Sequence, residues 1–274
     1  MSCFRAACVQ LNSGDDVAAN FIAAETLIRE AKSEGADFIA TPENTLLMTQ
    51  DPVRKLANSF SEVDDPMVPA FCRLTAELKI WLLVGSLAIR VSADKTVNRS
   101  FLIAPDGTVA ARYDKIHLFD VDLPMGEVYR ESDTVEGGAH AEVAELPWGK
   151  VGLSICYDLR FPQLYRALGL AGAIAFTIPA AFTVTTGKAH WHVLARARAI
   201  ENGAFVIAPA QCGIHPGGRK TFGHSLIVSP WGEVLADGGG KPGIVVAEID
   251  PALSFDARAR IPSLSGDRPF LSPA

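Results

Sequence analysis

The sequence lacks most of the features that mark disulfide scaffolds, nucleic-acid binders and membrane proteins. Its five cysteines are scattered and form no CxxC pair, which excludes a disulfide framework and a cysteine-based zinc cage. No block of basic residues stands out from a net charge of −6, so we expect no nucleic-acid partner. No apolar run is long enough to cross a bilayer, so we expect no membrane partner.

The start of the chain also lacks the charged, apolar and small residues, in that order, of a secretory signal. Together with the scattered cysteines, this predicts a cytoplasmic protein. Hydrophobic residues make up 49% of the 274 residues and charged residues 20%, which indicates a globular chain with a large core. Without linkers or repeats, we expect one domain over residues 1–274, with a Pro- and Ser-rich tail after about 255 extended on the surface or on a partner subunit.

Strand-like and helix-like segments alternate along the chain. The expected strands cover residues 4–11, 37–40, 81–91, 98–113 (with a turn at 105–107), 151–155, 174–178, 204–210 and 243–249, with a hairpin around 230–232. The expected helices cover residues 15–33, 67–79, 163–171 and 188–202. This order predicts an α/β fold of two mixed sheets flanked by helices, a four-layer αββα sandwich.

Cys156 is the most informative single residue. The apolar run Val151–Ile155 precedes it, the chain turns polar directly after it, and Pro162 stands where a helix favours its first residue. A side chain at such a strand end is held stiffly and faces a cleft, which is how a nucleophile needs to be mounted. Taken alone, however, a cysteine there is more often a small buried apolar residue.

Two further side chains that are costly to bury end predicted strands. Glu43 follows the strand 37–40, and Lys115 follows the strand that ends near Tyr113. A carboxylate there can take the thiol proton, since a free thiol with a pKa of ~8.5 is mostly protonated at neutral pH. An ammonium can stabilise the oxyanion that forms when a thiolate attacks a carbonyl. Taken alone, a glutamate beside Pro42 is more often a loop or cap residue, and a lysine after Tyr-Asp is more often a solvated surface charge.

Several segments taken together resemble the signature of the nitrilase superfamily of carbon–nitrogen hydrolases. In the family's order, they are Thr41–Asn44, Tyr113–Asp120, Ile155–Pro162, Gly187–Trp191, Arg196–Asn202, Gly223–Ser225 and Pro230–Gly232. The resemblance covers nearly the whole chain, and the motifs are jointly much more specific than any one of them.

The resemblance implies a single carbon–nitrogen hydrolase domain with an αββα sandwich and a Glu-Lys-Cys triad. By position, Glu43 is the general base, Lys115 the oxyanion stabiliser and Cys156 the nucleophile. The resemblance also implies that the backbone N–H of Tyr157 contacts the oxyanion.

The resemblance further implies residues that position the substrate. Many family members hold a second glutamate after the lysine, for which Glu131 fits best and Glu127 is the competitor. Arg160 is the candidate partner of a substrate carboxylate because its fork matches that group; a structural ion pair, for example with Asp158, is the alternative. The loop after the strand 174–178 is expected to border the pocket with Phe182, Thr183 and Thr186.

Within the superfamily, the chain is most similar to the Nit branch, whose members act on deaminated glutathione or omega-amides. Gln163 and His192 depart from the glutamates that are frequent there, which affects the expected substrate and not the triad. The predicted function is a cysteine-dependent amidase that hydrolyses a terminal carboxamide of a small carboxylate-bearing substrate, deaminated glutathione or a related α-keto acid amide. The products are a carboxylate and ammonia, formed through a thioester.

We expect no metal or organic cofactor, because thiol, carboxylate and ammonium already supply a nucleophile, a base and charge stabilisation. His190 and His192 form an H-x-H pair, but residues two apart on a helix face different ways, which disfavours joint metal ligation. The resemblance implies a homodimer or a larger homo-oligomer.

Other functions stay open at the level of the sequence. An omega-amidase acting on α-ketoglutaramate or α-ketosuccinamate would use the same chemistry, and a nitrile hydrolase would share the attack by the thiol. A Cys-His hydrolase would use His192 or His224 as the base for Cys156. A binding protein would keep the scaffold and release no product.

Overall fold

The computed structural model describes residues 2–123, 126–266 and 268–271. Its strands are β1 (Phe4–Gln10), β2 (Phe38–Ala40), β3 (Trp81–Arg90), β4 (Thr96–Ile103), β5 (Val109–Asp114), β6 (Asp120–Asp122), β7 (Val128–Arg130), β8 (Glu142–Leu146), β9 (Gly149–Leu153), β10 (Ala173–Thr177), β11 (Phe205–Ala208), β12 (Cys212–Ile214), β13 (Lys220–Phe222), β14 (Leu226–Val228), β15 (Val234–Asp237) and β16 (Gly243–Ile249). Its α-helices are α1 (Val17–Ser33), α2 (Pro52–Ala57), α3 (Met67–Leu78), α4 (Pro162–Leu170), α5 (Val184–Thr186), α6 (His192–Asn202) and α7 (Ala252–Arg260). Short 3-10 turns lie at Glu131–Asp133, Cys156–Arg160 and Pro216–Gly218, and a π-helical turn lies at Gly187–Trp191.

Two six-stranded sheets form the middle of the fold. The first sheet has the order β16-β1-β2-β3-β4-β5, and the second has the order β15-β14-β11-β10-β9-β8. Each contains three neighbouring parallel strands, β1, β2 and β3 in the first and β9, β10 and β11 in the second. The carboxyl ends of parallel strands meet at one edge of a sheet, and ligands of open α/β sheets bind at that edge.

The alternation of side chains along β1 shows how the layers are stacked. Ala6 and Cys8 belong to the core between the two sheets, whereas Ala7 and Val9 pack with the helices on the outer face of the first sheet. Helices α1 and α3 cover that outer face, and α4 and α6 cover the outer face of the second sheet. The predicted αββα sandwich is confirmed.

The helices follow from local signals in the sequence. Ala24, Ile28 and Ala31 of α1 are buried at helical spacing, and Asp16 caps the helix by accepting a hydrogen bond from the N–H of Ala19 at 3.0 Å. Helix α4 begins at Pro162, as predicted. None of the helices that the structure describes is long and apolar enough to span a membrane.

The structure differs from the sequence expectation in two segments. The helix expected at 188–202 begins earlier, as α5, and widens into a π-helical turn where Gly187 lies against the ring of Phe222, leaving no room for a Cβ. The tail expected to be extended after about 255 is helical to the end of α7, because Ser254 and Ala257 are buried at helical spacing. Beyond it, residues 263–264 contact α4 through Arg166, and residues 267 and 272–274 lie outside the described part.

Candidate active site

Three strand ends from the two sheets open on one cavity of about 470 Å³. Glu43 follows β2, Lys115 follows β5 and Cys156 follows β9, and all three side chains line this cavity. The structure therefore brings together the three residues that the sequence singled out.

Lys115 is held between two carboxylates. Its Nζ lies 2.8 Å from Oε1 of Glu43 and 2.8 Å from Oε2 of Glu131, and its side chain is only 2% exposed. Burial lowers the pKa of Lys115, but the charges of Glu131 and Glu43 outweigh this effect and raise the pKa above its usual value. The lysine is therefore a fixed positive charge at neutral pH.

Glu43 is fixed from three sides. The Oε1 atom that contacts Lys115 also accepts a hydrogen bond from Nδ2 of Asn98 at 3.0 Å. Its Oε2 atom accepts from the backbone N–H of Ala181 at 3.0 Å. Because Ala181 follows β10 of the second sheet, this carboxylate bridges the two sheets beside Cys156.

Cys156 lies in a sharp turn between β9 and α4. Its φ of 48° is in the left-handed region, which a non-glycine residue adopts only when its surroundings hold it there. Its N–H donates to the carbonyl of Pro179 at 2.9 Å. Asp158 holds the next turn by accepting from the N–H of Ile155 at 2.9 Å and from the hydroxyl of Tyr113 at 2.7 Å. The thiol is thus mounted in a preformed position.

The surroundings of Cys156 raise the pKa of its thiol. Burial raises the pKa of its thiol well above the usual value, and the charge of Glu43 raises it further. The ammonium of Lys115 acts in the opposite direction. The resting thiol is therefore protonated at neutral pH, and a neighbouring group must remove the proton when the sulfur attacks.

The structure distinguishes the two candidates for the second glutamate. Glu131 contacts Lys115, and its Oε2 also accepts from the N–H of Phe119 at 2.7 Å. Glu127 is exposed and accepts from the hydroxyl of Tyr129 at 3.2 Å. Only Glu131 of the two lines the cavity around the triad.

Of the remaining predicted site residues, all but Arg160 line the cavity. These are Tyr157, Phe182, Thr183 and Thr186. The guanidinium of Arg160 lies 5.4 Å from the ring centre of Phe182 and 5.8 Å from that of Tyr157, and its Nη1 is 3.3 Å from Nδ1 of His190. Arg160 therefore packs against two rings that line the cavity and against a histidine, but it is not itself among the lining residues.

The carbon-nitrogen hydrolase family matches residues 5–259 of the chain. The chain belongs to this family. A deaminated glutathione amidase of Synechocystis sp. (strain PCC 6803 / GT-S) is 41% identical over 273 residues, which cover 96% of this chain and 98% of that protein. The omega-amidase NIT2 of Homo sapiens is 34% identical over 262 residues, covering 96% and 94%. The crystal structure of the C. elegans NitFhit protein matches with a TM-score of 0.91 at 33% identity, over 98% of this chain and 66% of that one.

These findings confirm the expected membership of the nitrilase superfamily. The protein is a hydrolase of carbon–nitrogen bonds other than peptide bonds. The triad segments, whose geometry is described above, all lie within the matched residues.

The histidines considered as alternative bases in this hydrolase lie elsewhere. His192 Nε2 is 2.9 Å and His224 Nδ1 is 2.8 Å from the carboxylate of Asp237. In the part of the chain that the structure describes, no histidine lines the cavity beside Cys156. His192, His224 and Asp237 are also the one group among the described residues whose ligand atoms (of His, Asp, Glu or Cys) lie within 4.8 Å of one another, close enough to hold a metal ion. His190 does not belong to this group.

Sequence reasoning missed three side chains of this hydrolase's cavity region. Asn98 joins Glu43 to Glu131, since its Nδ2 also lies 3.2 Å from Oε1 of Glu131. Lys55 and Arg219 line the cavity. Asn98 lies on β4 beside Arg99 and Ser100, so polarity along that strand does not single it out, and α2 and the turn before β13 carry no signal that points to the site either.

Proposed function

We propose that the protein is a cysteine-dependent amidase that forms a thioester on Cys156. The arrangement of Glu43, Lys115 and Cys156 on one cavity carries this proposal, with the lysine nitrogen 2.8 Å from the glutamate oxygen. Such a set supplies a nucleophile, a base and a fixed positive charge without any further group.

The first half-reaction breaks the amide. The sulfur of Cys156 forms a bond to the carbonyl carbon while its proton passes to Glu43. The carbonyl oxygen takes up negative charge, which the ammonium of Lys115 and the N–H of Tyr157 stabilise. The C–N bond then breaks, Glu43 returns the proton to the departing nitrogen, and a thioester remains on Cys156.

The second half-reaction releases the acid. Glu43 takes a proton from a water molecule, and the water oxygen attacks the thioester carbon, again with the oxyanion beside Lys115. The C–S bond breaks, and the sulfur of Cys156 recovers its proton from Glu43. The free acid ionises to a carboxylate, and the enzyme is regenerated with its thiol protonated.

The positioning residues complete the proposal. Glu131 holds the ammonium of Lys115 toward the carbonyl oxygen, as its 2.8 Å contact supports. Arg160, whose guanidinium lies beside the lining residues Tyr157 and Phe182, binds a carboxylate of the substrate. The wall beside the reacting amide is formed by Phe182, Thr183 and Thr186.

For the substrate we propose deaminated glutathione or a related α-keto acid amide. The Synechocystis relative with that name supports this choice at 41% identity. The cavity of about 470 Å³ supports it too, because it falls in the range of small-molecule pockets and exceeds what a five-carbon amide fills. The second candidate is an omega-amide such as α-ketoglutaramate, which the 34% identity to omega-amidase NIT2 favours.

The test measures both products and the intermediate. The bond cleaved in deaminated glutathione is an internal amide, so this substrate releases cysteinylglycine and not the ammonia expected above, whereas α-ketoglutaramate releases ammonia. Both the free amine and ammonia are therefore assayed. Rapid acid quenching followed by mass spectrometry should detect the acyl group on the peptide that contains Cys156. If Cys156→Ala releases product at the parent rate, Cys156 is not the nucleophile. If nitriles are turned over faster than amides, the protein is a nitrile hydrolase and not an amidase.

We further propose a cytoplasmic homodimer or larger homo-oligomer. The five unpaired cysteines support a reducing compartment. Exposed apolar residues on α6 (Val193 and Ile200) and the neighbouring Trp231 support a covered face. Light scattering of the purified protein tests the assembly, and a monomer at micromolar concentration would contradict it.

A further inference from the structure

The cavity is lined by three cationic side chains that the mechanism does not use, Lys55, Arg130 and Arg219. Arg130 is already paired with the carboxylate of Asp122 at 2.7 Å, which leaves Lys55 and Arg219. Lys55 comes from α2 and Arg219 from the turn that leads into β13, and both line the same cavity as the triad. The two residues are far apart in sequence and reach the cavity from different elements. We call the pair the distal subsite.

Lys55 has few partners for a partly buried ammonium. Its Nζ lies 3.3 Å from the hydroxyl oxygen of Thr134. Among the described residues, no carboxylate lies within ion-pairing distance of it. Burial lowers the pKa of Lys55, although the charge of Glu131 acts in the opposite direction. An anion in the cavity would supply the interaction that this lysine lacks.

Arg219 lines the cavity and carries one donor that has no acceptor in the described structure. Its Nη2 donates to the carbonyl of Ala181 at 2.9 Å, and its guanidinium lies 5.4 Å from the ring centre of Tyr129. Its Nε is buried and has no hydrogen-bond partner. A buried N–H without an acceptor is unfavourable, and a carboxylate oxygen is the acceptor that a guanidinium fork binds best.

The carboxylates nearest to these cations are already engaged. Glu131 accepts from Lys115 and from the N–H of Phe119. Asp51 caps α2 by accepting from the N–H of Val53 at 2.9 Å. The charge of Glu131 offsets part of the charge of Lys55, but among the described residues neither acid forms an ion pair with Lys55 or Arg219.

We propose that the distal subsite binds a second carboxylate of the substrate, remote from the amide that is cleaved. The inference rests on the proposed amidase function. With Arg160 available for one carboxylate and Lys55 and Arg219 for another, the site fits an acid amide with two carboxylates. Deaminated glutathione carries two, whereas α-ketoglutaramate carries one. The distal subsite is then the feature that selects the longer substrate.

The experiment compares Lys55→Met and Arg219→Gln with the parent enzyme on three substrates. These are deaminated glutathione, the same compound with its glycine carboxylate converted to a carboxamide, and α-ketoglutaramate. Each variant should lower kcat/KM for deaminated glutathione by about 10- to 100-fold, the size of one charged hydrogen bond. The loss should be at least about tenfold smaller for the two substrates with a single carboxylate.

A binding measurement keeps this test separate from the test of the proposed function. Calorimetry on Cys156→Ala protein measures the affinity for deaminated glutathione and for its carboxamide without turnover. The parent protein in this background should prefer the dicarboxylate, and Lys55→Met should remove that preference. An unchanged preference would overturn the distal subsite even if amides are hydrolysed, and absent turnover with an abolished preference would overturn only the proposed chemistry.

Lys95→Met is the matched control. The Nζ of Lys95 donates to the carbonyl of Ser132 at 2.6 Å, next to Thr134, which Lys55 contacts. Lys95 therefore supports the same turn but does not line the cavity. This variant should change all three substrates in equal proportion. If Lys55→Met also lowers all three equally, Lys55 acts only through the charge of Glu131, and the distal subsite is wrong.

Discussion

The two sheets share one plan and supply different chemistry to the cavity. Each has three parallel strands, and the segments after β2, β9 and β10 reach the site, as does Lys115 after the antiparallel strand β5. The first sheet supplies charged and polar groups, namely Glu43, Lys115 and Asn98, and the second supplies the thiol of Cys156 and the N–H of Ala181. The sulfur therefore meets its base and its cation only across the junction of the sheets.

Cys8 shows what a buried thiol is like without such neighbours. It lies on β1, is fully buried, and its sulfur is 3.6 Å from the carbonyl of Leu226. Burial raises the pKa of its thiol, as it does for Cys156. The difference is that Glu43 and Lys115 stand beside Cys156 alone. Burial by itself makes a thiol inert, and the facing charges make one of the two reactive.

The largest effect is expected when the two thiols are exchanged for alanine in turn. Cys156→Ala should lower kcat by about 10³-fold or more, because the covalent route is lost. Cys8→Ala should keep kcat and cost about 1–2 kcal/mol of unfolding free energy, because it leaves a small cavity in the core. Steady-state kinetics and urea unfolding measure the two quantities. Equal losses of activity would mean that the cavity is not the reactive centre.

Removal of the bridging carboxylate should come next. Glu43→Gln should lower kcat by about 10²–10⁴-fold, since general base catalysis is lost. The same change should lower the pKa of Cys156, because burial still raises it but the charge of Glu43 no longer does, while the charge of Lys115 continues to lower it. The pH profile of iodoacetamide alkylation at Cys156 should therefore move to lower pH. A shift to higher pH, or none, would show that Glu43 is not coupled to the thiol.

Local patterns in the sequence were enough to predict most of the sandwich. Apolar spacing located α1 and α4, and short apolar runs located β1 and β10, because burial of one face leaves a periodic trace. Helix α2 and the hairpin of β6 and β7 are too short and too exposed to leave such a trace. They form part of the wall of the cavity, so that wall was not predictable.

The site was predictable to the extent that its residues lie in motifs. Glu43 and Cys156 each lie in a short segment whose neighbours are informative. Lys55, Asn98 and Arg219 have no such neighbours, and their importance arises only when distant strands and turns meet. A linear pattern does not encode that meeting, because it depends on the packing of one sheet against the other.

Beside the first sheet, in the separate hairpin of β6 and β7, the two glutamates before and after β7 should differ. Glu131→Gln should lower kcat by about 10- to 100-fold, because Lys115 loses one of the two carboxylates that hold and charge it. Glu127→Gln is the matched control and should stay within about twofold, since Glu127 is exposed and bonds only to Tyr129 in the described structure. Values of kcat for both variants on one amide substrate test this prediction. If Glu127→Gln lowers kcat more than Glu131→Gln does, Glu127 and not Glu131 is the second glutamate.

The smallest expected effect concerns the hydroxyl that ties the sheets together behind the thiol. Tyr113 ends β5 of the first sheet, and its hydroxyl donates to Oδ2 of Asp158 in the turn after Cys156. Tyr113→Phe should cost about 1–3 kcal/mol of unfolding free energy, because a buried carboxylate loses a donor. The N–H groups of Ile155 and His117 still donate to Asp158, so kcat should fall by less than about tenfold. Urea unfolding at neutral pH measures the change in unfolding free energy, and steady-state kinetics measure the change in kcat. A loss of activity as large as that of Glu43→Gln would show that this tie, and not the charges across the junction, sets the reactivity of the thiol.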